Sequence, residues 1–237
     1  KEVLFGVIFS TLVCLLFFFP LLSGKIALSV DLLVANYSIW SPNYHPPVKN
    51  PNLRDSILEL YPRRHLVIKQ LKQGKMPYWN PYQAAGAPLL ANNQSAVFYP
   101  LNLPLYIFNE ISGWNLFIAS QVFLSLLFTF ILARSLSLSK FASIISSLAY
   151  TFFSFSLHYL INGNISHVLL WVPILVYLAW SFASKKSKII LLVPICIASS
   201  FLAGHAHLFV YVFAIYILCL SFFSYIKKVS LKKYLFG

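Results

Sequence analysis

A polar stretch of about ninety residues, 23–112, interrupts a sequence that otherwise consists mostly of apolar runs. One apolar run, 3–22, precedes it, and apolar runs return after it and continue to the end of the chain. A helix needs about 20 apolar residues to cross the hydrocarbon core, so the flanks can cross a bilayer and the polar stretch cannot. Four of the five acidic residues lie in this stretch: Asp31, Asp55, Glu59 and Glu110. The sequence therefore predicts a membrane protein whose chemistry is concentrated in one large loop.

The composition supports a membrane protein with several spans. The chain has 237 residues, of which 59% are hydrophobic and only 10% charged, whereas a soluble domain is about 25% charged. The formal net charge of +13 does not indicate a nucleic-acid partner, because the Lys and Arg residues are divided among short loops and form no single basic face. The three cysteines lie inside apolar runs, which is typical of buried thiols rather than of disulfides.

Six apolar runs are candidates for membrane spans, which predicts an all-α, polytopic helix bundle. They are 3–22, 113–134, 140–161, 166–183, 188–204 and 207–226. We expect a first transmembrane helix within 1–22, an extracytoplasmic loop with juxtamembrane helices over 23–112, and a bundle of about five helices over 113–237. Because the chain begins at Lys1 and stops after a basic cluster, we also expect a longer natural protein with a further C-terminal part.

The distribution of basic residues predicts the orientation of the bundle. Every second short loop is basic, and the residues concerned are Arg134, Lys140, Lys185, Lys186, Lys188, Lys227, Lys228, Lys232 and Lys233. The turns 161–166 and 204–206 contain no Lys or Arg. Positive loops stay in the cytoplasm, so both ends of the chain are predicted to be cytoplasmic and the long loop extracytoplasmic. This orientation places all six histidines on the loop side: His45, His65, His158, His167, His205 and His207.

Within the loop, the segment from Ser56 to Gly74 has the pattern of an amphipathic helix. Ser56 and Glu59 have the spacing of a capping box, which predicts a helix start near residue 57. The predicted apolar face consists of Ile57, Leu60, Tyr61, Val67, Ile68 and Leu71, and the polar face of Glu59, Arg63 and Gln70. Glu59 and Arg63 form an i,i+4 pair in the favoured order. We expect this helix to lie on the outer membrane surface.

Asp55 stands directly before the predicted helix, and two roles are open for it. An acid at this position can stabilise the helix N-terminus through the helix dipole. It can also act as a general base near the membrane surface.

The following segment, 74–102, is rich in Trp, Tyr, Asn, Gln, Pro and Gly but poor in charge. Three prolines and two glycines across 74–88 exclude a regular helix. We expect an ordered, irregular loop, with amides that can bind hydroxyl-rich ligands and rings that can stack on them. The alternative is a structural plug over the helix bundle, and both roles can hold together.

The loop residues resemble the YfhO-like family of bacterial membrane proteins. The matching residues are Asp55, Tyr61-Pro62, Gly74, Pro77, Trp79-Asn80-Pro81-Tyr82, Gly86, Pro88-Leu89, Ala91-Asn92 and Phe98-Tyr99-Pro100-Leu101-Asn102. The later Gly204-His205 pair is similar to a family motif as well, although the family often has Gln where this chain has His207. The resemblance covers nearly the whole chain, which corresponds to roughly the N-terminal third of a typical member.

This family is placed among membrane glycosyltransferases of the C-type fold. The resemblance implies an inverting enzyme of the bacterial cytoplasmic membrane that uses a polyprenyl-phosphate-linked sugar. It implies transfer, outside the cytoplasm, to an envelope glycan, a teichoic-acid-type polymer or a protein. It also implies a catalytic acid after the first span. The Asp and Tyr-Pro pattern favours Asp55 for this role, while Asp31 lies nearer the end of the first span and stays a rival.

Several residues are candidates for binding the substrates. Arg63, Arg64, His205 and His207 could stabilise the departing phosphate, because Arg and protonated His pair well with phosphate oxygens. The other candidate substrate-binding residues are Trp79, Asn80, Asn92 and Gln94. Some relatives of the fold use a divalent metal. The few carboxylates here argue against a dedicated metal cage, so we assign no metal ligands, although one Asp together with the donor phosphate could hold an ion.

Two other functions stay open. A transporter or flippase would carry ionisable residues within its spans, and the span centres here lack Asp, Glu, Lys and Arg. A non-catalytic protein of envelope assembly would tolerate replacement of both Asp31 and Asp55.

Overall fold

The computed structural model describes residues 1–36, 39, 47–184 and 191–228. The described part is mostly helical. Its α-helices are α1 (Glu2–Phe17), α2 (Val30–Asn36), α3 (Tyr61–Lys72), α4 (Leu103–Ile107), α5 (Glu110–Ser135), α6 (Lys140–Thr151), α7 (Ser154–His158), α8 (Ile165–Leu169), α9 (Trp171–Ala183), α10 (Val193–Leu202) and α11 (Ala206–Ile226). Short 3₁₀ turns cover Phe19–Ser23, Pro51–Leu53, Asn93–Ser95, Pro100–Asn102 and Leu160–Asn162. A short antiparallel hairpin joins β1 (Trp79–Asn80) to β2 (Ala87–Pro88), with Trp79 opposite Pro88.

Three helical segments are long and apolar enough to cross a membrane: Glu110–Ser135, Ile165–Ala183 and Ala206–Ile226. They correspond to three of the six predicted spans. The other described apolar helices are shorter, with 16 residues in α1, 12 in α6 and 10 in α10. The first residues of the predicted fifth span, 188–190, lie outside the described residues, as do His45, Lys185, Lys186, Lys188, Lys232 and Lys233. The structure therefore supports a helical membrane protein, and the number of six spans stays a prediction.

Proline explains two of the shorter helices. Pro20 has no N–H to donate to the carbonyl of Leu16 and its ring crowds that carbonyl, so α1 ends at Phe17 and a 3₁₀ turn follows. Pro194 lies in the first turn of α10, where a missing N–H costs nothing, so the helix begins at Val193.

Helix α5 is the central element of the fold, and it packs against α1, α6 and α9. Its 26 residues span roughly 39 Å at 1.5 Å per residue. Near its C-terminal end, the Arg134 Nε lies 2.9 Å from a carboxylate oxygen of Glu2, and the Lys140 Nζ lies 3.8 Å from the other. Near its N-terminal end, the Trp114 Nε1 donates to the Ala27 carbonyl of the loop at 2.9 Å. The loop and the Glu2 cluster thus lie at opposite ends of α5.

The helix predicted in the loop is present, but it begins differently. Residues 54–55 are already helical, and the Ser56 hydroxyl donates to the Leu53 carbonyl at 2.6 Å instead of capping a helix. The predicted capping box is therefore wrong. A π-helical turn, Ser56–Leu60, precedes α3 and is closed by a bond from the Tyr61 N–H to the Ser56 carbonyl. Pro62 explains the wider turn, because it cannot donate to the carbonyl four residues earlier and its ring needs room there.

The predicted apolar face of this helix is buried within the protein. Ile57, Leu60, Val67 and Ile68 are all buried, and Val67 packs with Leu89 and Val97 of the loop. The apolar face therefore packs against the protein itself, and the position of the helix on the outer membrane surface stays a prediction.

The segment 74–88 contains no helix in the structure, as the prolines and glycines predict. It contains the β1–β2 hairpin instead. Gly86 has a φ of +103°, and a Cβ atom there would lie 2.4 Å from the Trp79 Nε1. Glycine at this position therefore permits the indole of Trp79 to lie against the opposite strand.

Candidate functional site

A cavity of about 300 Å³ lies where the loop meets the turns before α8 and α11. We call it the Asp55 cavity. Its polar lining consists of Asp55, Glu59, Gln94, Asn162, Asn164 and His205, and its other lining residues are Leu60, Phe155, Tyr159, Ile165 and Leu208. Residues from four separate parts of the chain therefore converge on one space.

Asp55 contributes an exposed carboxylate to this cavity. Its side chain makes no capping hydrogen bond to the helix that follows. Within the described ranges, no ion pair or side-chain hydrogen bond involves it. The carboxylate can therefore accept a proton or a hydrogen bond from a ligand. Asp55 also stands in the first helical turn, so its stabilisation of the helix N-terminus through the dipole stays open.

Arg63 does not line the cavity but contacts two residues that do. Its NH2 group lies 2.8 Å from a carboxylate oxygen of Glu59, and its NH1 group donates to the Gln94 Oε1 at 2.7 Å. The predicted i,i+4 pair of Glu59 and Arg63 is confirmed. Arg63 lies on the same side of the helix as Glu59, as predicted, but it is only 8% exposed. With its oxygen engaged by Arg63, the Gln94 amide has its NH₂ group left for a ligand.

His205 lines the cavity as a neutral imidazole. Burial lowers its pKa below the usual value of 6.5, its own backbone hydrogen bond raises it, and the adjacent His207 lowers it again. The His205 Nδ1 accepts the Leu208 N–H at 3.4 Å and so caps α11, which leaves the proton on Nε2. At neutral pH, His205 is therefore a neutral hydrogen-bond donor and not the protonated cation that we expected.

The glycine before His205 permits the loop to dock on this turn. Gly204 has a φ of +100°, and a Cβ atom there would lie 3.2 Å from the Asn93 carbonyl oxygen. The Asn93 side chain also donates to the Phe201 carbonyl at 3.3 Å. The Gly-His pair thus joins the loop to the start of α11.

Two asparagines of the cavity were not among the predicted site residues. The Asn162 side chain is 5% exposed, and its Oδ1 has no hydrogen-bond partner among the described residues. The Asn164 Oδ1 caps α8 by accepting the Ile165 N–H at 2.6 Å. A signal was present, since both lie in the uncharged turn 161–166, but no sequence pattern links that turn to Asp55.

Three predicted residues do not line the Asp55 cavity, and two of them make structural hydrogen bonds instead. Asp31 accepts the Lys49 N–H at 2.9 Å and does not line the Asp55 cavity. The Asn92 Oδ1 accepts the Gln94 N–H at 2.9 Å and caps a 3₁₀ turn. His207 is exposed beside His205 but outside the cavity lining.

Trp79 and Asn80 belong to neighbouring spaces. A larger cavity, of about 710 Å³, is lined by Glu59, Arg63, Asn80 and Tyr82 among others, so it shares Glu59 with the Asp55 cavity. It shares Tyr82 with a groove of about 410 Å³ that is lined by Trp79. A chain of adjacent cavities therefore leads from exposed aromatic rings to Asp55.

Arg64 lies apart from Asp55, although it follows Arg63 directly. It is 2% exposed, it donates from NH1 to the Asn102 Oδ1 at 3.0 Å, and its guanidinium lies 4.5 Å from the centre of the Phe117 ring. Burial lowers its pKa to about 10, so Arg64 stays protonated at neutral pH. It does not line the Asp55 cavity.

Across residues 1–36, 39, 47–184 and 191–228, no group of three or more His, Cys, Asp or Glu residues could hold a metal ion. Comparison with family models, with curated proteins and with solved structures found no match. The function is therefore inferred from the side chains of the site.

The lowered pKa of His205 predicts that the stability of the protein depends on pH. Since its pKa is lower in the folded state, the unfolded state binds the proton more readily, and stability falls as the pH drops below about 6.5. Asn is also a good N-cap but does not titrate, so His205→Asn should remove this part of the pH dependence. Thermal unfolding of the wild type and of His205→Asn between pH 5 and 8 measures this pH dependence of stability. Identical pH profiles would contradict the assignment.

Proposed function

We propose that this protein is a membrane glycosyltransferase of the C-type fold that transfers a sugar from a polyprenyl-phosphate donor to an envelope glycan or protein acceptor. The observation that carries the proposal is the Asp55 carboxylate, which has no partner among the described residues, at a cavity lined by amides and a histidine. The donor, the acceptor and the C-type fold in this proposal come from the resemblance of the loop motifs to the YfhO-like family.

In this proposal Asp55 acts as the general base. Its carboxylate takes the proton of an acceptor hydroxyl while that oxygen attacks the anomeric carbon of the donor sugar. The bond between the anomeric carbon and the phosphate oxygen breaks, and polyprenyl phosphate leaves with the electron pair. The attack comes from the face opposite the phosphate, so the configuration of the sugar is inverted.

The neighbouring side chains have the chemistry to hold the two substrates. The Oδ1 of Asn162 and the amide nitrogen of Gln94 can bind sugar hydroxyl groups. The exposed rings of Trp79 and Tyr82 can stack on the apolar faces of an extended acceptor glycan. The Nε2 proton of His205 can donate to the leaving phosphate. Arg63 does not line this cavity, but it adds positive charge next to it through its contacts with Glu59 and Gln94.

We further propose that the protein resides in the bacterial cytoplasmic membrane with its loop outside the cytoplasm. Arg134 and Lys140 cluster with Glu2 at the end of α5 opposite the loop. This separation supports the orientation, because basic short loops stay in the cytoplasm.

The direct test is transfer by the full-length protein in proteoliposomes. Polyprenyl-phosphate donors with radiolabelled sugars are supplied with an envelope glycan acceptor, and labelled product is measured against protein-free vesicles. Label on the acceptor supports the proposal. Movement of the lipid-linked sugar across the bilayer without transfer would replace it with a flippase.

A further inference from the structure

A second groove, of about 310 Å³, lies between α3 and the start of α5, and we call it the basic groove. Arg64, Lys69 and Lys72 contribute positive charge to its lining, and Leu105, Phe108 and Trp114 contribute apolar surface. It shares no lining residue with the Asp55 cavity, but it shares His65, Lys69 and Glu110 with the cavity of about 710 Å³. This combination of cations with a hydrophobic wall suits an amphiphilic anion.

Arg64 is the buried cation at the inner end of this groove. It is 2% exposed and forms no ion pair with a carboxylate in the part of the chain that the structure describes. Its contacts are the Asn102 Oδ1 and the face of Phe117, which are both uncharged. Burying a cation without a counter-charge is costly, so an anion in the groove would stabilise the site.

The groove also contains one acid, Glu110, but this carboxylate already has partners. It accepts a hydrogen bond from the Tyr61 hydroxyl and lies 2.7 Å from the Nδ1 of His65. Neither Lys69 nor Lys72 forms an ion pair with it. The groove therefore keeps an excess of positive charge.

The position of the groove favours a lipid over a free anion. It adjoins the first turn of Glu110–Ser135, a helix long enough to cross a membrane. Next to it, Leu103, Ile107, Phe108 and Ile111 are 46–64% exposed and form an apolar surface. A headgroup in the groove would place its acyl chains along that surface, at the level where a span meets the membrane interface.

We propose that the basic groove binds the headgroup phosphate of an anionic phospholipid. The phosphate lies among Arg64, Lys69 and Lys72, and the acyl chains lie against Ile107 and Ile111. This site is separate from the donor cavity and does not rest on the proposed glycosyltransferase activity. Phosphatidylglycerol, which carries one net negative charge, is the probe for it.

The test measures phosphatidylglycerol binding to the full-length protein in detergent by native mass spectrometry and by thermal stabilisation. Phosphatidylcholine with the same acyl chains is the neutral reference. The double variant Lys69→Gln/Lys72→Gln is compared with Lys49→Gln/Lys75→Gln, which removes the same charge from exposed loop lysines that do not line the groove. All four lysines are exposed, so both variants should fold, and size-exclusion chromatography checks this.

We expect phosphatidylglycerol to bind more tightly than phosphatidylcholine, and the groove variant to lose about 10- to 30-fold in affinity. The control variant should change by less than about threefold. Equal binding of the two lipids would overturn the proposal, as would equal losses in the two variants. If free glycerol phosphate competes for the groove as strongly as phosphatidylglycerol does, the groove is an anion site without a preference for lipid. That result would also overturn the proposal.

Discussion

Replacement of Asp55 by asparagine is expected to reduce sugar transfer by the full-length protein about 10²- to 10⁴-fold, the range that general base catalysis contributes. Asparagine has nearly the same shape, but its amide cannot take the proton of the acceptor hydroxyl. Because the carboxylate is exposed and makes no capping hydrogen bond, the free energy of unfolding should change by less than about 0.5 kcal/mol. Initial transfer rates in proteoliposomes and thermal unfolding are the two measurements.

Asp31→Asn is the matched control, since Asp31 is the other candidate base and lies in the same loop. Its carboxylate accepts the Lys49 N–H and does not line the Asp55 cavity, so we expect transfer within a few fold of wild type. If Asp55→Asn keeps full transfer activity and Asp31→Asn loses it, Asp31 is the general base. Wild-type function of both variants would favour a non-catalytic role in envelope assembly.

The largest effect on stability is expected for Phe117→Ala. Phe117 is fully buried in α5, between the Arg64 guanidinium at 4.5 Å and the His167 ring, which stacks on it at 4.1 Å. Truncation removes a large core side chain and the cation–π contact together, so we expect a loss of about 3–5 kcal/mol in the free energy of unfolding. Reversible denaturant unfolding in detergent micelles measures this loss.

Phe130→Ala separates this contact from general loss of core volume. Phe130 is also buried in α5 but lies near the other end, against Phe5 and Phe9 of α1. Both variants should be less stable, but only Phe117→Ala should release α3, and with it increase hydrogen exchange of the loop amides. Equal loop exchange in the two variants would mean that Phe117 does not anchor the loop.

The sequence was informative where structure depends on near neighbours. The three helical segments that are long enough to cross a membrane follow from the length of their apolar runs. The buried face of α3 and the contact of Glu59 with Arg63 follow from the helical repeat, which brings residues three and four apart together. The absence of helix over 74–88 follows from prolines that cannot donate and glycines that favour turns.

Two features of the loop helix differ from what the residue pattern predicts. The capping-box spacing at Ser56 was overridden by the space that Pro62 requires. Arg63 and Arg64 look alike in sequence, but successive helix residues point about 100° apart. Arg63 therefore contacts Gln94 beside the Asp55 cavity, whereas Arg64 contacts Asn102 and lines the basic groove.

By itself, the sequence determined that this chain is a helical membrane protein with one polar loop that carries most of its acids. Only the tertiary structure decided that Asp55 and Glu59, and not Asp31 or Glu110, share a cavity with Gln94, Asn162 and His205. These residues are separated by about 40 to 150 positions along the chain. Their meeting depends on the docking of the loop against Gly204 and Phe117, which arises from close packing of distant elements and leaves no periodic trace in the sequence.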